Sequence, residues 1–130
     1  MFMVTEGAKK KILVVDDEAG SLLLLKSCLE KSGYEVFQGT NGQEALTLVK
    51  QNPPDLIIMD RMMPKMDGIK ACALIKLDRR FFRIPVIMLT ASAEKADQTL
   101  SEQVGIDAFL NKPLNTTVLI EKVQELLARG

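Results

Sequence analysis

Short apolar runs recur along this chain, and polar residues follow four of them directly. Those polar residues are Asp16-Asp17, Asp60, Thr90 and, after Asn111, Lys112. Runs of three to five residues that are apolar throughout are typical of strands buried on both faces of a parallel sheet. Because the carboxyl ends of parallel strands emerge at one edge of the sheet, the pattern predicts that three carboxylates, a hydroxyl and an ammonium group meet at that edge.

The segments between the apolar runs carry apolar residues at helical spacing. Helices are predicted over 19 to about 32, from a cap at Thr40 or Asn41 to 52, over 69–77, over 93–104, and after a cap at Asn115. Strands are predicted over 11–15, 34–37, 55–60, 86–89 and 108–110. The alternation favours an α/β fold, a single doubly wound (βα)5 domain with a parallel five-stranded sheet and helices on both faces.

Length and composition indicate one globular domain without a membrane span. The chain has 130 residues, of which 47% are hydrophobic and 26% charged, so a single domain over 10–130 after a flexible tail over 1–9 is expected. No stretch approaches the ~20 apolar residues of a spanning helix, and the lysines near the N-terminus follow its apolar part, unlike a signal peptide. We therefore expect a cytoplasmic protein.

Charge and cysteine content exclude several classes of partner and site. Basic and acidic residues both number 17, so the net charge gives no reason to expect nucleic acid or an anionic membrane as a partner. The only two cysteines, Cys28 and Cys72, fit no zinc motif and no disulfide framework. The basic and aromatic segment 79–83 is interpreted as solvated arginines around one buried phenylalanine, and Leu22–Leu25 mainly as core packing, with a partner surface as the alternative.

The predicted polar edge suits a divalent cation and a phosphoryl group. Three carboxylates within a few ångströms raise one another's pKa unless a cation lies among them, and Mg²⁺ prefers oxygen ligands. Asp60 could then attack a phosphoryl group as a nucleophile, while Thr90 donates a hydrogen bond and Lys112 contacts another oxygen. Each residue alone means little, since an aspartate pair is usually solvated and a strand-end aspartate usually begins a turn.

Four stretches of the chain resemble the receiver domains of two-component response regulators, including the chemotaxis regulators. They are Asp16-Asp17-Glu18, the stretch from Asp60 through Met63-Pro64 to Asp67-Gly68, Leu89-Thr90-Ala91, and Gly105 through Lys112-Pro113. The resemblance covers about residues 10 to 128. It implies a flavodoxin-like fold with strand order 2-1-3-4-5, an order already known from this family.

The resemblance also implies a role for each matching residue around a magnesium ion. Asp60 is the expected phosphoacceptor, Asp17 the direct Mg²⁺ ligand, and Asp16 a ligand that acts largely through water. Met62 would contribute its backbone carbonyl rather than its side chain.

Three further residues match positions that contact the phosphoryl group or respond to it. Lys112 is the expected phosphate-contacting lysine, and its bond to Pro113 is expected to be cis, which costs little before proline. Thr90 and Phe109 match the switch pair, in which the hydroxyl moves inward on phosphorylation and the aromatic ring follows it.

The resulting expectation is a signalling switch rather than a turnover enzyme. A histidine kinase or a histidine phosphotransfer protein would donate a phosphoryl group to Asp60 with Mg²⁺. The face formed by the predicted fourth helix, the fifth strand and the last helix would then change its affinity for an effector protein, an output domain or a second copy. Neither nucleic acid nor a membrane is expected as a direct partner.

Three alternatives stay open at the level of sequence. A Mg²⁺-dependent aspartyl-phosphate phosphatase would need a second acid two residues after the nucleophile, where this chain has Met62. A flavin-binding carrier would need a phosphate cradle after the first strand, where this chain has Asp16-Asp17-Glu18. A receiver that no longer accepts phosphate and acts as a scaffold would be expected to lack a matching position, and all are present.

Overall fold

The computed structural model describes residues 9–93 and 103–129, and its strands form one parallel sheet. The strands are β1 (Lys11–Val15), β2 (Glu35–Gly39), β3 (Leu56–Asp60), β4 (Val86–Thr90) and β5 (Ala108–Asn111). Their order is β2-β1-β3-β4-β5, and every neighbouring pair is parallel. The doubly wound architecture and the 2-1-3-4-5 order are therefore confirmed.

Helices connect the strands, and three of the four that the structure describes in full begin at side-chain caps, while the first has no side-chain cap. They are α1 (Ala19–Lys31), α2 (Gly42–Gln51), α3 (Gly68–Leu77) and the C-terminal helix (Thr116–Arg129). The side chains of Asn41, Asp67 and Asn115 accept hydrogen bonds from backbone N–H groups in the first turns of α2, α3 and the C-terminal helix, which satisfies donors that a helix start leaves unpaired. None of the described helices has the length and apolarity to cross a bilayer.

The helices cover both faces of the sheet, and each face has its own core. On one face, α2 and α3 pack against Leu13, Ile57 and Met88; on the other, α1 and the C-terminal helix pack against Ile12, Ile58 and Leu89. Side chains alternate between the faces because successive residues of a strand point to opposite sides. The sheet is thus buried on both faces, as its apolar strands predicted.

The two cysteines lie on opposite faces of the sheet. Cys72 of α3 is part of the first core, and Cys28 of α1 packs against the second. Both thiols are free, as expected. Burial raises the pKa of Cys72 to about 12, so this thiol remains protonated at neutral pH.

Some predicted details differ from the structure. Strand β2 extends to Gly39, which pairs with Val15, so the predicted end at residue 37 was two residues short. The interpretation of Leu22–Leu25 as core packing was wrong for half of the run, because Leu23 and Leu24 are 68% and 46% exposed and only Leu22 and Leu25 are buried. The predicted helix over 93–104 lies mainly outside the described residues. At the end of that range, residues 103 and 104 are helical. The tail predicted over 1–9 stays a prediction.

The basic and aromatic connection after α3 has the arrangement that the sequence suggested. Phe81 is 5% exposed and Phe82 is 49% exposed, so one of the two rings is buried. The Arg80 guanidinium lies 4.7 Å from the Phe81 ring centroid, and that of Arg83 lies 5.5 Å from the Phe82 ring centroid.

Candidate functional site

Three carboxylates meet at the carboxyl ends of the two central strands. Asp16 follows β1 directly, and Asp60 is the last residue of β3. These strands are neighbours, and Val15 pairs with Met59, so the two aspartates emerge side by side. Together with Asp17, each offers an oxygen within 4.8 Å of the others. The structure therefore brings together the three acidic residues that the sequence predicted.

The carboxylates differ in their exposure to solvent. Asp16 is fully buried, Asp60 is 6% exposed, and Asp17 lies at the surface. The backbone fixes Asp16 in place, because its N–H donates to the Gly39 carbonyl at 3.1 Å and its Oδ1 accepts from the Glu18 N–H at 3.0 Å. A buried pair of carboxylates with an open third one forms an acidic pocket that is accessible from one side.

Lys112 supplies the ammonium group of this pocket. It follows β5, and its N–H donates to the Thr90 carbonyl at 2.8 Å. Its Nζ lies 3.2 Å from Asp16 Oδ2, 3.5 Å from Asp60 Oδ2 and 3.4 Å from Glu18 Oε1. The Lys112–Pro113 peptide bond is cis in the structure. One positive charge thus faces several negative ones.

The pKa shifts follow from this excess of negative charge. Burial, and then the adjacent Asp16 carboxylate, raise the pKa of Asp60, while Lys112 and a hydrogen bond from the Met62 backbone oppose the rise. Burial lowers the pKa of Lys112, but its carboxylate neighbours outweigh burial and the net shift is upward. Lys112 therefore stays charged at neutral pH, and the ionised form of Asp60 would be stabilised by a further cation.

The donor set of the pocket suits magnesium. Asp16, Asp17 and Asp60 offer only oxygen ligands, which hard divalent cations prefer, and the exposed side of the pocket leaves room for water and a phosphate oxygen. The Met62 side chain is 74% exposed, and its backbone N–H bonds to Asp60. The expected contribution of the Met62 carbonyl to the metal stays a prediction.

The two residues expected to act as a switch lie on adjacent strands. Thr90 ends β4, is 8% exposed, and accepts a hydrogen bond from the Ser92 N–H at 3.4 Å. Phe109 of β5 is half-buried against the core on the α2–α3 side and pairs with Met88. Because Thr90 is two residues after Met88, it faces the same side of the sheet as Phe109. The two side chains thus lie on the same face of neighbouring strands, and their role as a switch stays a prediction.

The loop from β3 to α3 is held against the pocket by close backbone contacts. A Cβ at Gly68 would lie 2.4 Å from the Asp60 carbonyl oxygen, and a Cβ at Gly42 would lie 2.6 Å from the Met66 carbonyl oxygen. Lys65 has a φ of 69°, in the left-handed region that side chains rarely adopt. Only glycine allows the two close approaches, so this loop has little freedom to shift.

Glu18 is the residue of this site whose role the sequence did not reveal. The sequence marks it only as the neighbour of the aspartate pair, yet its carboxylate Oε1 lies 3.4 Å from Lys112 Nζ. The two residues are 94 positions apart, and no spacing or periodicity relates them. The fold alone brings them together.

Comparison with known proteins agrees with the geometry of the site. Residues 12–124 match the family model described as the response regulator receiver domain. The chain is 41% identical over 121 residues to the alkaline phosphatase synthesis transcriptional regulatory protein PhoP of Bacillus subtilis, covering 93% of this chain and 50% of that protein. The chain therefore spans about half the length of the transcriptional regulators it matches.

Two solved structures show the same fold over nearly their whole length. Chemotaxis response regulator CheY4 of Vibrio cholerae matches with a TM-score of 0.84 and 30% identity, covering 92% of this chain and 99% of that one. The receiver domain of a Pseudomonas aeruginosa sensor histidine kinase, with a magnesium ion coordinated in its active site cleft, matches with a TM-score of 0.84, 29% identity and coverage of 93% and 99%. With an acidic pocket at the carboxyl edge of a 2-1-3-4-5 sheet, this chain belongs to the response regulator receiver domain family.

Proposed function

We propose that this chain is a phosphoacceptor switch that takes a phosphoryl group onto Asp60 from a histidine kinase or a histidine phosphotransfer protein. The observation that carries the proposal is the environment of Asp60, which is 6% exposed beside Asp16, Asp17 and the Lys112 ammonium group. A buried carboxylate with a raised pKa, next to cation ligands, suits a nucleophile better than a structural contact.

The transfer exchanges one covalent bond for another. A carboxylate oxygen of Asp60 forms a bond to phosphorus while the bond between phosphorus and the donor imidazole nitrogen breaks, and that nitrogen keeps the electron pair and takes up a proton. When bound, Mg²⁺ neutralises charge on the phosphoryl oxygens. Lys112 supplies a second positive charge, since its Nζ is already 3.5 Å from Asp60, and Thr90 donates a hydrogen bond from its hydroxyl.

The response to phosphorylation would pass through Thr90 and Phe109. We infer that the Thr90 hydroxyl moves toward the new phosphoryl group and that the Phe109 ring fills the space behind it, which changes the surface around β5. A partner can shift this equilibrium only by its different affinity for the two states. The proposed partners are an effector protein, a second copy of the chain or an output domain, such as the remaining half of a longer regulator would provide.

Two negative expectations belong to the same proposal. We propose that the chain modifies itself rather than turning over a substrate, because the position two residues after Asp60 is Met62 and offers no general acid. We also propose that this domain makes no direct contact with nucleic acid. Relatives such as PhoP are transcriptional regulators, so an attached output domain is where we would place any such contact.

The decisive test is incubation with acetyl phosphate and Mg²⁺, followed by intact mass measurement. The wild type should gain one phosphoryl group that is labile to hydroxylamine, as an acyl phosphate is, and Asp60→Ala should gain none. Asp78→Ala is the matched control, since Asp78 pairs with Arg80 at the surface, and it should be phosphorylated like the wild type. A gain in Asp60→Ala, or none in the wild type at millimolar Mg²⁺, would contradict the proposal, and steady release of phosphate from small esters would indicate a phosphatase.

A further inference from the structure

The ammonium group of Lys112 is shared between the interior and the rim of the acidic pocket. It lies 3.2 Å from Asp16 and 3.5 Å from Asp60, whose side chains are 0% and 8% exposed. It also lies 3.4 Å from Glu18, whose side chain is 67% exposed. Lys112 thus contacts one carboxylate outside the three-aspartate cluster as well as two within it.

Lys112 and a divalent cation would share two carboxylates. Asp16 and Asp60 both belong to the cluster that could hold a metal ion, and both accept the ammonium group in the structure. Two cations a few ångströms apart repel each other, most strongly where solvent is excluded. A metal ion held by the cluster would therefore weaken the contact between the ammonium group and Asp16, and the ammonium group would then need another acceptor.

We propose that Glu18 is a positioning residue that receives the Lys112 ammonium group when the cation enters, and so lowers the competition between lysine and metal. This inference rests on the proposed function only in that the cation is Mg²⁺. Lysine is suited to the movement, because its charge is carried on a flexible four-carbon stem. Lys112 remains close enough to contact a phosphoryl group on Asp60.

The Glu18 backbone is held directly beside Asp16. Its backbone N–H donates to Asp16 Oδ1 at 3.0 Å, and its Oε1 accepts from the Ser21 hydroxyl at 3.4 Å. Glu18 also immediately precedes α1. The carboxylate that accepts Lys112 is therefore attached to the same turn that holds the metal ligands Asp16 and Asp17.

Because Glu18 is exposed, its proposed positioning role can be distinguished from a contribution to stability. An ion pair at the surface contributes little to stability, because water screens it and the side chains lose freedom. Replacing Glu18 should consequently leave the melting temperature of the metal-free protein unchanged. A positioning role would appear instead in the affinity for the cation, and only while Lys112 is present.

A double-mutant cycle on magnesium affinity tests the proposal. Mg²⁺ is titrated by calorimetry into the wild type, Glu18→Gln, Lys112→Ala and the double variant, without any phosphodonor. Glu18→Gln should weaken Mg²⁺ binding about fivefold in the wild-type background, a typical coupling between contacting residues. In the Lys112→Ala background the same change should weaken binding at most about twofold, because only the loss of a nearby charge remains.

Glu30→Gln is the matched control, since it removes an equal charge from the last turn of α1, about 18 Å along the helix axis from Glu18, and Glu30 lies at an exposed position. It should leave Mg²⁺ affinity unchanged. An equal effect of Glu18→Gln in both backgrounds, an absence of effect, or a wild type that binds no Mg²⁺ would overturn the inference. Failure of Asp60 to gain a phosphoryl group while the cycle shows coupling would overturn the proposed function alone.

Discussion

Aspartates have opposite roles at the two ends of the parallel strands, which we call the amino edge and the carboxyl edge of the sheet. At the amino edge, Asp55 Oδ2 accepts from the Lys11 N–H at 2.7 Å and Asp107 Oδ2 accepts from the Val86 N–H at 2.8 Å, so each carboxylate completes the hydrogen bonding of a strand that begins there. At the carboxyl edge, Asp16 and Asp60 face each other and compete for one ammonium group. The first arrangement closes the fold, and the second leaves charge for a ligand.

The lysines of the two edges show the same contrast. At the amino edge, Lys76 is 13% exposed, and its ammonium group donates to the carbonyls of Phe82 and Ile84 and lies 3.4 Å from Asp107. At the carboxyl edge, Lys112 faces three carboxylates, and among the described residues no other lysine or arginine forms an ion pair with them. Balanced charge therefore contributes to stability at one edge, while unbalanced charge prepares the other for binding.

The side-chain charges at the carboxyl edge are unbalanced, but the backbone there is held by close contacts. We therefore expect Gly68→Ala to cause the largest loss of stability among the variants. A Cβ at Gly68 would lie 2.4 Å from the Asp60 carbonyl oxygen and 2.9 Å from Met88 Sδ. The backbone must move, and we expect a loss of about 3 kcal/mol in the free energy of unfolding, measured by urea denaturation. Gly20→Ala, with nothing within 4 Å of its Cβ, should lose nothing. Equal effects of the two changes would show that the loop is not tightly held.

Lys76→Met should affect stability without affecting function. The variant keeps the apolar stem but removes the ammonium donor from two carbonyls and the ion pair with Asp107, which we expect to lower the free energy of unfolding by about 2 kcal/mol. Acetyl phosphate should still modify Asp60 at the wild-type rate. Lys70→Met, at an exposed position on α3, serves as the control and should change neither quantity. A slower modification of Lys76→Met would mean that the two edges are coupled.

Of the three changes, Asp60→Asn should have the smallest effect on stability, and it should stabilise the protein rather than destabilise it. Because the pKa of Asp60 is raised by burial and by Asp16, its ionised form opposes folding at neutral pH. Without metal, the amide should raise the melting temperature by a few degrees at pH 7. The difference should disappear as the pH falls below 3.8, the ordinary aspartate value, because the unfolded chain is then protonated too.

Metal and a second aspartate sharpen that test. Mg²⁺ should stabilise the wild type and not Asp60→Asn, since it binds the folded state through the ionised cluster. Asp78→Asn should instead lower the melting temperature at pH 7, because hydrogen bonds from Arg80 lower the pKa of Asp78 to about 2. A melting temperature of Asp60→Asn below that of the metal-free wild type at pH 7 would contradict the view that the pocket carries excess negative charge.

Much of this architecture is predictable because local pattern and global fold agree. Fully apolar strands such as β3 require cover on both faces, and their ends determine where Asp60 and Thr90 emerge. The three aspartates could therefore be placed at one edge before any contact was known. The same topology places the two free cysteines on opposite faces of the sheet.

The contacts that were not predictable depend on side-chain reach across distant parts of the chain. The partners of Glu18 and Lys76 lie on other elements, and no periodicity encodes them. The exposure of Leu23 and Leu24 was missed because an apolar run on a helix does not show which of its residues lack a neighbour. The predicted end of β2 came two residues too early because Gln38 and Gly39 are not typical strand residues.

The contact between Lys112 and Asp16 joins residues 96 positions apart, and this separation has a consequence for protein synthesis. A ribosome that has translated only as far as β4 has already produced Asp60 and both of its acidic neighbours, but not the lysine. On the proposed function, such an incomplete chain would have the nucleophile without the positive charge that contacts the incoming phosphoryl group. Competence to accept a phosphoryl group would therefore arise only when the last strand has been made and has joined the sheet.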